Sequence, residues 1–195
     1  MTRTIKREEK MVSASYSGSG KADVAPAASD IERSALRRTM VGHGALMIFA
    51  ALVGGVGLWM YLLGGFEIVP GYILSFQLPG SADGWQRAHT GPVLNGLMVI
   101  AIGFALPLLD FSARWSKILG WTIILDGWSN TGFYFFSNFS PNRGLAFGPS
   151  RVGPADIFSF LALAPAYLFG VLAMVALVVI GWRAIGSAHS AGVSR

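Results

Sequence analysis

Residues 40–63 read MVGHGALMIFAALVGGVGLWMYLL, a run that contains no Asp, Glu, Lys or Arg. A helix of about 20 apolar residues is long enough to cross the hydrocarbon core of a bilayer. Three later stretches, 89–109, 117–136 and 156–182, are of comparable length and largely apolar. None of them alternates as barrel strands do, and helices are the other way in which a spanning backbone satisfies its hydrogen bonds. The sequence therefore predicts an all-α polytopic membrane protein, a bundle of four transmembrane helices.

The composition agrees with this class. The chain has 195 residues, of which 53% are hydrophobic and only 13% charged, whereas soluble domains carry about 25% charged residues. The basic residues behind its net charge of +5 lie at or beyond the span ends, so nucleic-acid binding has little support. Cysteine is absent, which excludes disulfides, iron–sulfur clusters and thiolate metal ligation.

The segments outside the spans divide the chain. Residues 1–35 include the run SASYSGSG at 13–20 and are predicted to be a disordered extension, because they bury too little apolar surface. Residues 30–39 are expected to form a short amphipathic helix lying against the membrane. Residues 36–185 are then predicted to form one four-helix transmembrane domain, in which residues 64–88 lie at the membrane interface, and residues 186–195 form a C-terminal tail.

Basic residues near the span ends predict the orientation. Cytoplasmic loops carry an excess of Lys and Arg. Six such residues fall on one side of the predicted membrane and three on the other, which places both termini in the cytoplasm. The first group is Arg33, Arg37, Arg38, Arg114, Lys117 and Arg183, and the second is Arg87, Arg143 and Arg151.

Polar side chains interrupt the second and third spans. Polar groups in hydrocarbon are costly and usually mark a buried site. Spans two and three run in opposite directions, and counting about 1.5 Å per residue brings their polar residues to similar depths in the outer half of the bilayer. Asp126, Asn130 and Tyr134 are spaced i, i+4, i+8 and share a helix face. The convergent residues are His89, Asn95, Asp126, Asn130 and Tyr134.

Two histidines in four predicted helices first suggest a cytochrome with two histidine ligands. His43 begins span one at the inner side and His89 begins span two at the outer side, about 30 Å apart if both spans start at the hydrocarbon boundary. That separation argues against a shared metal. Structural readings also stay open: the asparagines can bridge helices, Tyr134 can belong to an aromatic belt, and the Gly54-Gly55-x-Gly57 cluster favours close helix packing.

Residues 36–185 resemble bacterial styrene oxide isomerase in six blocks that recur in order along all four spans. The blocks are Gly42-His43-Gly44 with Leu46-Met47-Ile48-Phe49-Ala50, Gly64-Gly65-Phe66-Glu67-Ile68, Arg87-Ala88-His89-Thr90-Gly91-Pro92 with Leu94-Asn95-Gly96, Leu125-Asp126-Gly127-Trp128-Ser129-Asn130, Phe136-Ser137-Asn138-Phe139-Ser140-Pro141-Asn142-Arg143-Gly144-Leu145 and Asp156-Ile157-Phe158-Ser159-Phe160-Leu161-Ala162-Leu163-Ala164-Pro165-Ala166-Tyr167-Leu168.

The resemblance implies a homotrimer in the bacterial inner membrane with ferric haem b between subunits. It implies isomerisation of aryl epoxides such as styrene oxide to aldehydes such as phenylacetaldehyde, by Lewis-acid epoxide opening at the iron and a 1,2-hydride shift. The family roles make His89 the axial ligand and place Asn95, Tyr134 and Asp126 near the epoxide. Arg87 and Arg143, basic and near the outer interface, are candidates for holding the haem propionates. The alternative is a cytochrome b-type electron-transfer or quinone-reactive subunit.

Overall fold

The computed structural model describes the backbone of residues 28–193 and the side chains of residues 30–186. Four long helices dominate it: α1 (Ala28–Leu63), α2 (Ala82–Ala105), α3 (Ala113–Ser137) and α4 (Ile157–Val193). A hairpin of β1 (Gly65–Val69) and β2 (Tyr72–Ser75) joins α1 to α2, and a short 3-10 turn at Leu106–Leu108 follows α2. The predicted helical class is confirmed, while the hairpin is an addition that the sequence pattern did not indicate.

Three of the helices are long and apolar enough to cross a membrane. They comprise Asp30–Leu63, Ala82–Leu108 and Ile157–Gly186. The third helix, α3, does not meet that standard, since Asp126 and Asn130 stand in its middle among several tryptophans. The structure therefore supports three spans by composition, one fewer than the four-span prediction.

The helix bounds differ from the prediction at both ends of the chain. α1 begins at Ala28 and runs unbroken into the apolar stretch, so residues 30–39 are not a separate helix and the predicted disorder is wrong for residues 28–35. Residues 1–27 lie outside the described part. α4 continues to Val193, so most of the predicted C-terminal tail is helical.

The second helix begins seven residues earlier than predicted, at Ala82 instead of His89. Ser81 caps it: the Ser81 hydroxyl accepts a hydrogen bond from the Gly84 N–H at 3.1 Å, which satisfies one of the free donors of a helix start. The residues of this first turn are polar, and hydropathy alone therefore hid them. His89 consequently lies about two turns inside the helix instead of at its start.

Helix packing places an apolar core toward the end of the bundle that carries the turn between α2 and α3. α2 packs against α1 and α3, α3 also packs against α1, and α4 packs chiefly against α3. Much of α4 and of the outer surface of α1 consequently stays exposed and apolar. The buried core residues are Met40, Met47, Val99, Leu106, Leu109, Leu119, Ile123, Ile124, Ala173, Ala176 and Ile180.

Three basic residues gather at one end of the bundle, around the turn between α2 and α3. Arg33 donates to the carbonyl of Phe111 at 3.0 Å, and Arg183 donates to the carbonyl of Asp110 at 2.9 Å. Arg37 lies over the ring of Phe104, 5.9 Å from its centroid. The structure thus brings together basic residues from two helices, α1 and α4, that the charge pattern had assigned to the same side.

Candidate active site

His89 projects from α2 toward α1, and one hydrogen bond determines which of its nitrogens is free. Its Nδ1 lies 3.0 Å from the backbone carbonyl oxygen of Ala51. A carbonyl can only accept, so Nδ1 carries the proton and the neutral ring presents an unprotonated Nε2. This is the arrangement in which a histidine binds a metal, with one nitrogen held by a backbone oxygen and the other available.

His89 borders an apolar groove of about 560 Å³ on the outer face of α1. The exposed side chains of Leu52, Val56, Trp59 and Leu62 line it. They recur along α1 at spacings of three and four residues and so form one stripe. An apolar groove with a single nitrogen ligand at its edge fits a flat, largely apolar group that carries a metal.

Two glycines of α1 allow His89 to approach so closely. A Cβ at Gly55 would lie 2.6 Å from Nδ1 of His89, and a Cβ at Gly54 would lie 2.5 Å from the carbonyl oxygen of Ala88. A larger residue at Gly54 therefore requires the α2 backbone to move, and one at Gly55 requires the His89 imidazole to move. The interpretation of the glycine cluster as a helix-packing device is confirmed, and it has a functional consequence because it sets the position of the imidazole.

We expect Gly55→Ala to displace the imidazole of His89 and to lower both metal-group binding and thermal stability. The cost should be on the order of 1–3 kcal/mol, as for other overpacked interiors. Gly42→Ala on the same helix is the matched control, because a Cβ there meets nothing within 4 Å. Visible absorbance per protein and the melting temperature measure the effect. Equal behaviour of the two variants would contradict it.

His43, in contrast, makes a structural contact with two tryptophans of α3. The indole Nε1–H of Trp128 donates to its Nδ1 at 3.0 Å, and the His43 ring also packs edge-on against Trp121, with centroids 5.7 Å apart. With Nδ1 acting as acceptor, the proton of the neutral ring is on Nε2. Of the two histidines whose side chains are described, only His89 therefore offers a free lone pair.

The predicted 30 Å between the two histidines is wrong. His89 contacts Ala51, which follows His43 by eight residues on α1, a separation of about 12 Å along the axis. The error arose because α2 begins before His89. The conclusion drawn from it still holds, since two nitrogen ligands of one metal lie only about 4 Å apart at bond lengths of about 2 Å.

Asn95 and Tyr134 meet in the contact between α2 and α3. The Tyr134 ring lies directly over Gly91 of α2, at a distance that excludes any Cβ there. Its hydroxyl has no hydrogen bond to any described residue. The amide of Asn95 donates to the carbonyl of Gly127 at 3.5 Å, which is a weak contact. Both groups can therefore donate a hydrogen bond to a ligand without breaking a strong existing hydrogen bond.

Asp126 and Asn130 form a pair on α3. Asp126 is buried and accepts a hydrogen bond of 2.8 Å from the side-chain amide of Asn130. Across from it lies Gly170 of α4, whose missing Cβ would be 3.9 Å from the carboxylate. Tyr167, one turn before Gly170 on α4, is exposed. Asp126 thus belongs to the α3–α4 side, whereas Tyr134 contacts α2.

Arg87 and Arg143 line a second cavity, about 770 Å³ in volume, at the outer end of the bundle. Asn138 lies in its wall, with its side-chain oxygen accepting a 2.9 Å hydrogen bond from the Ser81 N–H. The two arginines that the sequence placed on one side of the membrane are therefore neighbours. This cavity shares no lining residue with the His89 groove.

A buried polar network supports the loop that carries Arg143. Asn142 is fully buried; its side-chain oxygen accepts from the Gly144 N–H at 2.9 Å and from the Ser140 hydroxyl at 2.9 Å. Ser159 at the start of α4 lies 2.6 Å from Ser140 through their hydroxyls. The chain between α3 and α4 is thereby held in one conformation, with Arg143 at a positive φ of 58°.

Asp156 anchors the other end of that loop. Partial burial raises the pKa of Asp156, but hydrogen bonds from the backbone and hydroxyl of Ser159 more than compensate, so the net pKa lies below its ordinary value. A lowered pKa means that the charged form stabilises the fold above the unfolded pKa, and that this contribution is lost as the pH falls. Asn138 stood among the polar residues that the sequence pattern singled out, but motif spacing gave no sign of this network, because its members come from separate elements.

Comparison with known proteins decides the family. Residues 36–185 match the family model described as Styrene oxide isomerase. The chain is also 68% identical over 156 residues to a curated protein named Styrene-oxide isomerase from Pseudomonas fluorescens, covering 80% of this chain and 92% of that protein. The chain belongs to the styrene oxide isomerase family. It is accordingly an enzyme, an isomerase, and the resemblance seen in the sequence is confirmed.

The styrene oxide isomerase match includes every predicted site residue. His89, Asn95, Asp126 and Tyr134 lie within 36–185, as do the arginines of the outer cavity. In the described structure they fall into three places: the His89 groove on α1, the polar seam of α3 with its neighbours, and the outer cavity. Neither cavity is lined by Asn95, Asp126 or Tyr134, so one chain alone does not bring all of them together.

Proposed function

We propose that this protein is a haem b-dependent membrane isomerase that converts aryl epoxides such as styrene oxide into aldehydes such as phenylacetaldehyde. Its family membership supports the reaction. The observation that carries the haem dependence is the free Nε2 of His89 at the edge of an apolar groove. One histidine ligand and apolar walls are what a haem requires of a protein.

The donor set fits haem better than a metal ion bound by side chains alone. In the part of the chain that the structure describes, no three His, Cys, Asp or Glu side chains lie close enough together to hold a metal. A haem would bring most of the ligands of its own iron, so one histidine, His89, would be enough to hold it. The Ala51 carbonyl makes this histidine a better ligand by holding its other nitrogen.

The bound ferric haem supplies a Lewis acid for the epoxide oxygen. Around that oxygen the chain contributes two neutral donors, the Asn95 amide and the Tyr134 hydroxyl, which can hold developing negative charge without supplying a base. Opening of the benzylic C–O bond leaves a carbocation next to the CH₂–O carbon. A hydride moves from that carbon to the benzylic carbon, and the oxygen becomes the aldehyde carbonyl, so no outside reductant is consumed.

The apolar residues protect the cationic carbon. Water would capture it as a diol, so a dry site favours rearrangement over hydrolysis. Leu52, Val56 and Trp59 present hydrocarbon and an aromatic face in the His89 groove. Asp126 has a supporting role in this proposal: it accepts a hydrogen bond from the Asn130 amide and so keeps the polar side of α3 ordered.

We further propose a homotrimer in the bacterial inner membrane with both termini in the cytoplasm. α3 serves as the fourth span, because it packs against α1, α2 and α4 and polar residues are tolerated where protein surrounds them. The His89 groove lies on the outside of the single chain. A neighbouring subunit can cover that groove. It can also supply the Asn95 and Tyr134 donors, which do not line the groove within one chain.

The alternative, an electron-transfer cytochrome or quinone-reactive subunit, is less well supported. A low-spin cytochrome would need a second axial ligand beside His89. The other histidine with a described side chain, His43, accepts a hydrogen bond from Trp128 and lies about 12 Å away along α1. Among the residues with described side chains, His89 is thus the one histidine that would hold a haem, which favours the isomerase over the electron-transfer alternative.

The test is one preparation of full-length protein in mild detergent. We expect a ferric Soret band and conversion of styrene oxide to phenylacetaldehyde with no reductant added. Colourless protein with full turnover would refute the haem dependence. Coloured protein that is reduced by quinol but leaves the epoxide intact would favour the electron-transfer alternative.

A further inference from the structure

The first turns of α1 line a cavity at the end of the bundle that carries the turn between α2 and α3. The cavity has a volume of about 200 Å³, several times the share of one water molecule in the liquid, about 30 Å³. Three of its residues precede residue 36, where the match to the family model begins, so family membership assigns the cavity no role. The lining residues are Asp30, Arg33, Ser34, Arg37 and Pro107.

The guanidinium group of Arg33 is held in place and has a donor without an acceptor. One of its terminal nitrogens donates to the carbonyl of Phe111 at 3.0 Å, which orients the group. Its Nε is buried and has no hydrogen-bond partner among the described residues. Buried N–H groups of native proteins nearly always have an acceptor. An anionic oxygen bound in this cavity supplies one.

Arg37 is the second cation of the cavity. It follows Arg33 by four residues, so the two side chains share one face of α1. Its guanidinium lies over the ring of Phe104, 5.9 Å from the centroid, and Ser34 adds a hydroxyl to the same wall. Guanidinium groups present their donors in a planar fork that matches the oxygens of a phosphate. The donors of this cavity therefore fit a phosphate group.

One carboxylate in the wall specifies the ligand further. Asp30 lines the same cavity and is exposed. The contacts of the two arginines go to Phe111 and Phe104, so neither arginine forms an ion pair with Asp30. This free carboxylate repels a second negative charge and attracts a positive one. The cavity therefore fits a ligand that carries a phosphate and an ammonium group side by side.

The order of these groups along α1 matches the order of groups in a membrane lipid. The helix presents first the Asp30 carboxylate, then the guanidinium groups of Arg33 and Arg37, and then the apolar residues 40–63. At about 1.5 Å per residue, Asp30 and Arg37 lie about 10 Å apart along the axis. Beside Arg37, the exposed ring of Phe104 begins the apolar surface of α2. A phospholipid with a primary amine has its ammonium, phosphate and acyl chains in that same order.

We propose that this cavity binds the headgroup of a phosphatidylethanolamine lipid, with the phosphate on Arg33 and Arg37 and the ammonium on Asp30. The acyl chains then lie along the exposed apolar surface that begins at Phe104. The bound headgroup links α1 to Pro107, which lies in the 3-10 turn after α2. This inference rests on the membrane location in the proposed function, and it depends neither on the haem nor on the reaction.

The test measures lipid retention by full-length protein in mild detergent. Equal amounts of phosphatidylethanolamine, phosphatidylcholine and phosphatidylglycerol are added, and native mass spectrometry counts each lipid per chain. We expect phosphatidylethanolamine to be retained about tenfold over the other two, the factor that one hydrogen bond between charged groups contributes. Phosphatidylcholine has no N–H to donate to Asp30, and phosphatidylglycerol has no ammonium group. Inorganic phosphate should not displace the lipid, because it lacks both the ammonium and the acyl chains.

Two variants with matched controls locate the binding. Arg37→Gln should lower the retention of all three lipids, because it removes a contact to the phosphate that they share. Arg38→Gln, exposed and outside the cavity, should leave retention unchanged. Asp30→Asn should abolish the preference for phosphatidylethanolamine and raise the retention of phosphatidylglycerol. Glu32→Gln, also exposed and outside the cavity, should keep the order seen in wild type.

Equal retention of the three lipids by wild type would overturn the proposal, and so would a preference for phosphatidylglycerol; this comparison needs no variant. Displacement of the lipid by inorganic phosphate would assign the cavity to a free anion instead. Equal losses in Arg37→Gln and Arg38→Gln would show that total charge, and not the cavity, attracts the lipid. Conversion of styrene oxide by the same wild-type samples distinguishes each of these outcomes from a failure of the proposed isomerase.

Discussion

His89→Ala is expected to yield protein without a Soret band and with isomerase activity at background. The substitution removes the only free imidazole nitrogen among the described histidines. Folding should be little affected, because the Ala51 carbonyl keeps its place in α1 and no buried donor is left behind. Absorbance per protein, epoxide turnover and the melting temperature together distinguish loss of the ligand from loss of the fold.

Two further variants make this prediction sharper. His89→Gly leaves space for free imidazole, and adding imidazole should restore the Soret band in part. His43→Gln keeps an acceptor for the Trp128 indole, so haem content and rate should remain near those of wild type. The assignment of the axial ligand would be refuted by haem-loaded, active His89→Ala or by loss of haem only in His43→Gln.

Tyr134→Phe should lower turnover by about 10²–10³ while leaving the Soret band in place. That factor is typical for removing one donor that holds developing negative charge. The ring itself is retained, so its packing over Gly91 and its edge contact with Phe133 persist. Haem content and the turnover of styrene oxide, measured on the same preparation, are the two readouts.

Tyr167→Phe provides the matched control for that change. It removes the same hydroxyl from an exposed tyrosine on α4, and turnover should not change. A normal rate in Tyr134→Phe would show that this hydroxyl has no role in the reaction. Loss of haem together with the rate would show that the residue supports cofactor binding instead of the reaction step.

The depths of the polar residues were only partly predictable. Hydropathy located the apolar stretches, but it started span two at His89 because the preceding turn is polar. The structure starts α2 at Ala82 under the Ser81 cap, which moves His89 inward and His43 closer. A helix cap is a local hydrogen bond and does not change the hydropathy of the sequence, so a hydropathy profile does not detect it.

Residue spacing along α2 predicted the directions of the site side chains better than hydropathy predicted their depths. The helical period already implies that Arg87, His89 and Asn95 point in different directions. It does not say which neighbour each meets. The structure assigns His89 to α1 through the Ala51 carbonyl, Asn95 to α3 through Gly127, and Arg87 to the loop after α3.

The sequence by itself determined the helical class, the apolar stretches long enough to cross a membrane and the family, because these depend on composition, period and motif. Only the tertiary structure decided the tautomer of His89, the engagement of His43 and the joining of Arg87 with Arg143 and Asn138. Each of these depends on a carbonyl, an indole or an amide from a distant element. Hydrogen bonds act over about 3 Å, and only packing brings such groups within that reach.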